Sequence, residues 1–310
     1  MIIRNGFGPF LYYDGQEREE LGMMKTGLVM EGGAMRGLFT AGVIDVFMEN
    51  GIEFDGGIGV SAGAAFGGNY KSKQIGRVLR YNVRFAKDPR MCSFRNLIFT
   101  GDLYGAKFCY DTLPNELDVM DREAFVTNPM KFYIVATDAK SGEPVYQELE
   151  DLAPVDMDWM RASASMPVVS RAVKINGHEY LDGGISDSIP LKAFEEMGYE
   201  KNVVILTRPW GYRKTPQKAM GFMKAMLRKY PGVSKALSVR HTVYNETLDY
   251  IEERRKAGAA YVICPPQALH IGKIEHNPEV LRSVYYQGRL AGEKHLEAVK
   301  KFLETVNEDE

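Results

Sequence analysis

The run Gly59-Val60-Ser61-Ala62-Gly63 sets a serine two positions from a glycine on either side. That spacing belongs to a nucleophile elbow, a sharp strand-to-helix turn in which Gly59 and Gly63 leave room where a Cβ would clash. The turn lifts the Ser61 hydroxyl out of a sheet and sets it at a helix N-terminus. The chemistry it allows is attack on a carbonyl through a covalent acyl intermediate. A second run, Gly32-Gly33-Ala34-Met35-Arg36-Gly37, also sits where a strand meets a helix. Bare backbone N–H groups at a helix N-terminus make an anion site. Acyl transfer needs one for its oxyanion, and losing a single donor there costs about 10²–10³ in rate. The run lacks the lysine and Ser/Thr of a P-loop and forms no GxGxxG, so a phosphate-binding loop is the weaker reading. Arg36 lies in a first helical turn, where a cation opposes the dipole. It calls for a compensating role, an ion pair bracing the loop in preference to a contact with an anionic substrate group. Asp182-Gly183-Gly184 completes the set. Alone it is the sequence of a turn, and its weight comes from the other two runs.

Positioning these residues falls to short buried strands and the helices that follow them. Residues 26–30 and 55–60 read as strands. Residues 38–50 carry Leu38, Ala41, Ile44 and Phe47 at the spacing of one helical face, and a small-residue helix runs from Ala62 to about Tyr70. Two strand–turn–helix units in succession predict a mostly parallel sheet covered by helices. Farther on, 132–139 and 144–149 are strands, 159–166 is a short helix stopped by Pro167, and Asn176-Gly177 is a hairpin signal immediately before Asp182. Strands are expected at 201–208 and 261–264, and helices over 216–229, 236–256 and 278–305.

Composition sets outer bounds. With 45% hydrophobic and 26% charged residues the 310-residue chain can build a real core. A formal net charge of -2 argues against a nucleic-acid surface. The three cysteines, Cys92, Cys109 and Cys264, are odd in number and widely spaced, which suits a reduced, cytoplasmic chain with no metal site. Asp156-Met157-Asp158 reads as helix N-terminal acid and not as a ligand pair. The N-terminus has no signal-peptide core, and no apolar run approaches the roughly 18 residues needed to span a bilayer.

Taken together and in this order, the three runs resemble the patatin-like phospholipases, in which a glycine-rich oxyanion loop with an arginine precedes GxSxG and then Asp-Gly-Gly or Asp-Gly-Ala. Ala162-Ser163-Ala164-Ser165-Met166-Pro167 is similar to the family's helix-and-proline segment. The resemblance covers roughly residues 25–210. It implies a three-layer α/β/α fold with a mostly parallel central sheet, and a Ser-Asp dyad in place of a triad. Ser61 would attack the ester, Asp182 would take and return the proton, and the N–H groups of Gly32, Gly33 and Ala34, with Arg36 and Gly37 completing the loop, would hold the oxyanion. No cofactor is implied. Ala34 stands where the family more often has a third glycine; alanine is accommodated there provided its φ is negative. The remaining parts are expected to be an N-terminal extension over 1–24 and a helical extension over 211–310, packed on the catalytic domain and similar to that of a bacterial subgroup.

The nearest rival is an α/β-hydrolase triad of Ser61, Asp182 and His270, whose chain order is right. Against it, the nucleophile comes after a single strand–turn–helix unit and the oxyanion run lacks the histidine of an HGGG motif. An acyltransferase would use the same acyl-enzyme, and a non-catalytic lipid-binding protein could keep the fold. The implied partner is a phospholipid or other acyl ester, with contact at the inner membrane face only peripheral. Two stretches could touch lipid. One is the apolar patch Met91, Phe94, Leu97, Ile98, Phe99, Leu103 and Tyr104. The other is the helical face Met220, Met223, Leu227 and Tyr230, flanked by Lys218, Lys224, Arg228 and Lys229, for which core packing is the preferred reading.

Overall fold

Residues 24–216 and 220–304 are described by the computed structural model; the extension expected at the N-terminus lies, but for its last residue, outside them. β1 (Thr26–Met30) leads through a 3-10 turn (Ala34–Arg36) into α1 (Gly37–Glu49), and β2 (Gly56–Val60) leads into α2 (Ala62–Lys71). These are the two strand–turn–helix units expected. Next come α3 (Arg77–Arg84), α4 (Phe94–Thr100), a π-helical segment (Phe108–Leu117) and α5 (Arg122–Thr127), none of them anticipated. β3 (Lys131–Asp138) and β4 (Pro144–Leu149) follow, then α6 (Pro154–Ser163). That helix starts earlier than expected because Pro154 fills its first position. Asp156 Oδ2 accepts the N–H groups of Glu150, Asp151 and Leu152 at 2.8, 3.1 and 3.0 Å, fixing the chain ahead of it.

β5 (Val173–Ile175) and β6 (His178–Asp182) form the Asn-Gly hairpin, with Asn176 and Gly177 both at positive φ, 49° and 83°. The chain closes with α7 (Leu191–Glu196), β7 (Lys201–Ile205), α8 (Met220–Met226), α9 (Pro231–Lys256), β8 (Ala260–Ile263) and α10 (Pro278–Glu304). One sheet takes all eight strands in the order β5-β6-β3-β2-β1-β7-β8, with β4 also on β3. The run β3-β2-β1-β7-β8 is parallel, and β4, β5 and β6 are antiparallel. The edge strand β8 falls in the C-terminal extension, at the strand expected over 261–264.

Because side chains alternate along a strand, each face of the sheet carries its own core. Leu28, Met30, Ile134, Val203 and Ile205 pack with α1, α2, α6 and α10 on one face. Val29, Ile58, Val60, Val135 and Val204 pack with α7 and α9 on the other. The fold is the α/β/α sandwich expected. Helix α1 departs from its one-faced pattern, since every residue from Gly37 to Phe47 is buried. Its outer side is covered by α10, through contacts a local pattern cannot show.

Candidate active site

Strand register brings the serine and the aspartate together across β3. Val60, the last residue of β2, pairs with Val135, and the next residue, Ala136, pairs on its other side with Asp182. Ser61 and Asp182 therefore flank one strand, with Cα atoms roughly 10 Å apart by two strand spacings, close enough for side chains to meet. The carboxyl ends of parallel strands are where α/β proteins place their ligands.

Ser61 has φ 55° and ψ -116° at the N-terminus of α2, a strained backbone for a non-glycine residue. The tightness of the turn explains its glycines. A Cβ on Gly59 would lie 2.4 Å from the Gly63 carbonyl oxygen, and one on Gly63 would lie 2.4 Å from that of Met30. The Ser61 N–H donates to Ser163 Oγ at 2.9 Å. Ser163, at the end of α6 and 0% exposed, belongs to the segment that carried part of the family resemblance. Its bond to the elbow spans 102 residues, and no spacing in the sequence announces it.

Asp182 is buried. Its N–H donates to the Ser165 carbonyl at 2.9 Å, and its own carbonyl accepts from Thr137 Oγ1 at 2.8 Å. Oδ1 accepts the Gly184 N–H at 2.8 Å, whereas Oδ2 is buried without a hydrogen-bond partner. Burial pushes the carboxyl above its ordinary range. The Ser61 hydroxyl, Arg240, the Gly184 N–H and Lys273 pull it back. The serine is therefore close enough to act on the carboxylate, without the alignment of a formed hydrogen bond, a common looseness before substrate binds. Gly183 is required by close approach, since a Cβ there would stand 2.1 Å from the Val135 carbonyl oxygen.

The glycine-rich loop differs from expectation at three positions. The Gly32 N–H is turned to the Ser188 carbonyl at 3.4 Å, leaving Gly33 and Ala34 as donors without a partner among the described residues. Ala34 has φ 49°, the sign that alanine tolerates poorly and that costs about 1–2 kcal/mol. Arg36 forms no ion pair among the described residues, and its Nε is buried without a partner. Glu31, the carboxylate close by, is already used: its Oε1 accepts from Tyr244 Oη at 2.7 Å and its Oε2 from the Thr207 N–H at 2.6 Å. Gly37 is buried, and a Cβ there would meet that of Ala62 at 2.8 Å, so it fits the loop against the elbow.

None of the five histidines hydrogen-bonds with Ser61 or Asp182. His270 is exposed. His276 Nδ1 lies 2.6 Å from the Ala86 carbonyl oxygen, His295 Nδ1 lies 2.7 Å from Tyr261 Oη, His178 approaches Asp138 at 3.9 Å, and His241 approaches Thr242 Oγ1 at 3.4 Å. All three cysteines are free thiols. Among the described residues no group of three His, Cys, Asp or Glu is placed to hold a metal. Nor is any helix long and apolar enough to cross a membrane. Of the two stretches considered for lipid contact, Met220, Met223 and Tyr230 pack around buried Leu227, while α4 leaves Phe94, Ile98 and Phe99 about three-quarters exposed at 74%, 78% and 76%.

A mostly parallel α/β sheet thus carries a strained serine elbow and a buried carboxylate at its carboxyl edge. Residues 28–195 match the family model described as patatin-like phospholipase, and the chain belongs to that family. Residues 230–304 match a second model, a domain of unknown function (DUF6363). The uncharacterized protein YjjU of Escherichia coli K12 is 31% identical over 288 residues, covering 89% of this chain and 78% of that one. Lysophospholipase NTE1 of Eremothecium gossypii is 25% identical over 179 residues, 56% of this chain and 11% of the fungal one. The crystal structure of VipD from Legionella pneumophila aligns over 89% of this chain and 67% of that one, with 12% identity and a TM-score of 0.44.

Proposed function

We propose that the protein hydrolyses acyl esters of lipids through a Ser61–Asp182 dyad and an acyl-enzyme. The observation that carries this reading is the pairing of a strained Ser61 elbow with a buried Asp182 whose Oδ2 has no other partner. Asp182 accepts the Ser61 proton as the hydroxyl attacks, and returns it to the leaving alcohol. The same carboxylate then activates the water that releases the acid. Gly33 and Ala34 donate to the oxyanion, and Arg36 and Gly37 shape the loop. Residues 25–210 form the catalytic unit, while β8 completes its sheet edge and α10 covers α1. The test is labelling with a fluorophosphonate. Ser61 is expected to be the one serine modified stoichiometrically, with Ser61→Ala abolishing both labelling and esterase activity. Label on another serine, or an active alanine variant, would refute the proposal.

The same reading places the protein in the cytoplasm, with peripheral contact at the inner membrane face through α4. Three large apolar side chains clustered on one exposed helix favour an interface over bulk water. In flotation with vesicles containing anionic phospholipid, the wild type is expected to co-migrate and Phe94→Ser/Ile98→Ser/Phe99→Ser to stay behind. Equal recovery of the two proteins in the soluble fraction would exclude α4 as the contact.

A further inference from the structure

Four cations gather beside the Ser61–Asp182 pair. Arg36 comes from the turn after β1, Arg208 and Lys214 from the segment after β7, and Arg240 from α9. Among the described residues none of the four forms an ion pair. Their side chains make a single hydrogen bond, from Arg240 Nη2 to Ser188 Oγ at 3.4 Å. The Nε atoms of Arg36 and Arg240 are both buried and unpartnered. Arg240 Nη2 also lies 3.1 Å from the point where a Cβ on Gly184 would stand, which puts it against the Asp182 loop. Lys214 is fixed from both sides of its backbone: its N–H donates to Asn245 Oδ1 at 2.8 Å, and its carbonyl accepts from Asn245 Nδ2 at 3.0 Å. Its Nζ sits 3.9 Å from the centre of the Tyr244 ring, and Tyr244 in turn holds Glu31.

Half-buried guanidinium groups without partners are costly, and native proteins seldom leave them so. Glu31 acts on Arg36 and Lys214, and Asp182 faces Arg240. The four cations outnumber these two carboxylates. Burial, then Arg240, lowers the Lys214 ammonium to about 7, with Arg36 and Arg208 adding to the effect and Glu31 opposing it. Burial, then Arg208, lowers Arg36. The groups repel one another, and among the described residues no carboxylate forms an ion pair with any of them. Guanidinium forks and an ammonium suit a phosphate oxyanion in geometry and in sign of charge. Beside Arg208 opens a cleft of about 160 Å³, lined by Trp210, Tyr212, Tyr244 and Leu248 and also by Asp249 and Glu252, which gives room for the rest of a head group.

We propose that Arg36, Arg208, Lys214 and Arg240 bind a phosphate-class oxyanion, carried on the acyl-ester substrate or free in solution. The substrate arm rests on the acyl-hydrolase reading, and the binding arm does not. Arg240, Tyr244 and Asn245 share one side of α9, so the region matched by the second family model gains a defined role. It closes the anion site over the patatin-like domain.

The experiment uses the full chain, Lys214→Gln and Arg240→Gln, each checked for folding by thermal melt. Inorganic phosphate titrated calorimetrically is expected to bind the wild type saturably. In each variant it should bind about tenfold or more weakly, the loss of one charge-assisted contact. In parallel, kcat/KM for lysophosphatidic acid divided by that for the monoacylglycerol of the same chain is expected to fall about tenfold or more in the variants. This ratio cancels any effect of Arg240 on Asp182. Weakened phosphate binding with an unmoved ratio would identify the ligand as a free anion at the same site. Phosphate binding that is absent, or unchanged in both variants, together with an unmoved ratio, would overturn the proposal. If no acyl ester is turned over at all, the hydrolase reading fails while the calorimetry still decides the site.

Discussion

Asp182→Asn is expected to lower kcat/KM on an acyl ester by on the order of 10⁴-fold or more, nearly as far as Ser61→Ala, because the two groups act as one unit. Asparagine keeps an oxygen for the Gly184 N–H, which now binds Oδ1 at 2.8 Å, so the loop should hold its shape and the loss should fall on chemistry. His270→Ala is expected to leave the rate within a small factor, since His270 is exposed and bonds to neither partner. A folded His270→Ala enzyme that is dead would replace the dyad by a triad. The pH profile has a definite sign. Asp182 works as a base only when ionised, and burial raises its pKa against the opposing pull of Ser61, Arg240, Gly184 and Lys273. Activity is therefore present above the raised value and lost as pH falls through it. The acid limb of kcat/KM should lie above the ordinary aspartate value of about 3.9. An acid limb at or below that value would contradict the buried base.

Much of this site could be read in the sequence because its geometry is local. An elbow needs Gly59 and Gly63 within a few residues of Ser61, and a type I′ hairpin needs Asn176-Gly177, so each leaves its mark on a short window. The parallel strands are short apolar runs followed by helices, which fixes the layer order. The contacts that join the windows leave no such mark. The bond from Ser61 to Ser163 and the approach of Arg240 to Gly184 depend on how distant elements pack. The same holds for the cations of the anion cradle, which are scattered over two hundred residues and look in sequence like ordinary surface charges.

The missed helices have their own reasons. α4 buries none of its residues, so its apolar side chains form no core-facing stripe; a Ser93 cap, accepting from the Asn96 N–H at 3.1 Å, is its one local signal. The segment Phe108–Leu117 contains Pro114, which reads as a break. In α3 the inward face carries Arg77, buried through bonds to Asn69 Oδ1 and the Asp118 carbonyl. A charged residue on the inner side departs from the rule that the buried face of a helix is apolar. Ala34 shows the converse: its identity suggested negative φ, and the tertiary demand of the loop imposed 49°.

Gly288→Ala is expected to destabilise the fold by about 3 kcal/mol, the upper part of the usual overpacking range. In a helix interior this substitution would otherwise stabilise by roughly 0.5–1 kcal/mol, so the sign alone is informative. The reason lies in how closely α1 and α10 approach. A Cβ on Gly288 would stand 2.0 Å from the Phe39 carbonyl oxygen, and one on Gly42 would stand 2.1 Å from that of Tyr285. Both obstacles are backbone, which cannot rotate aside as a side chain can, so the helices must separate. Separation would also loosen the bond from Tyr285 Oη to Asp45 Oδ2, now 2.6 Å, and leave a buried carboxylate short of a donor. The control is Gly221→Ala in α8, where no atom lies within 4 Å of the added Cβ and a neutral or slightly stabilising effect is expected. A melting temperature for Gly288→Ala roughly 6 °C or more below wild type would follow from the expected loss. If Gly288→Ala instead melts with the wild type, α10 does not dock on α1 by backbone contact, and the burial of the whole α1 surface would need another cause.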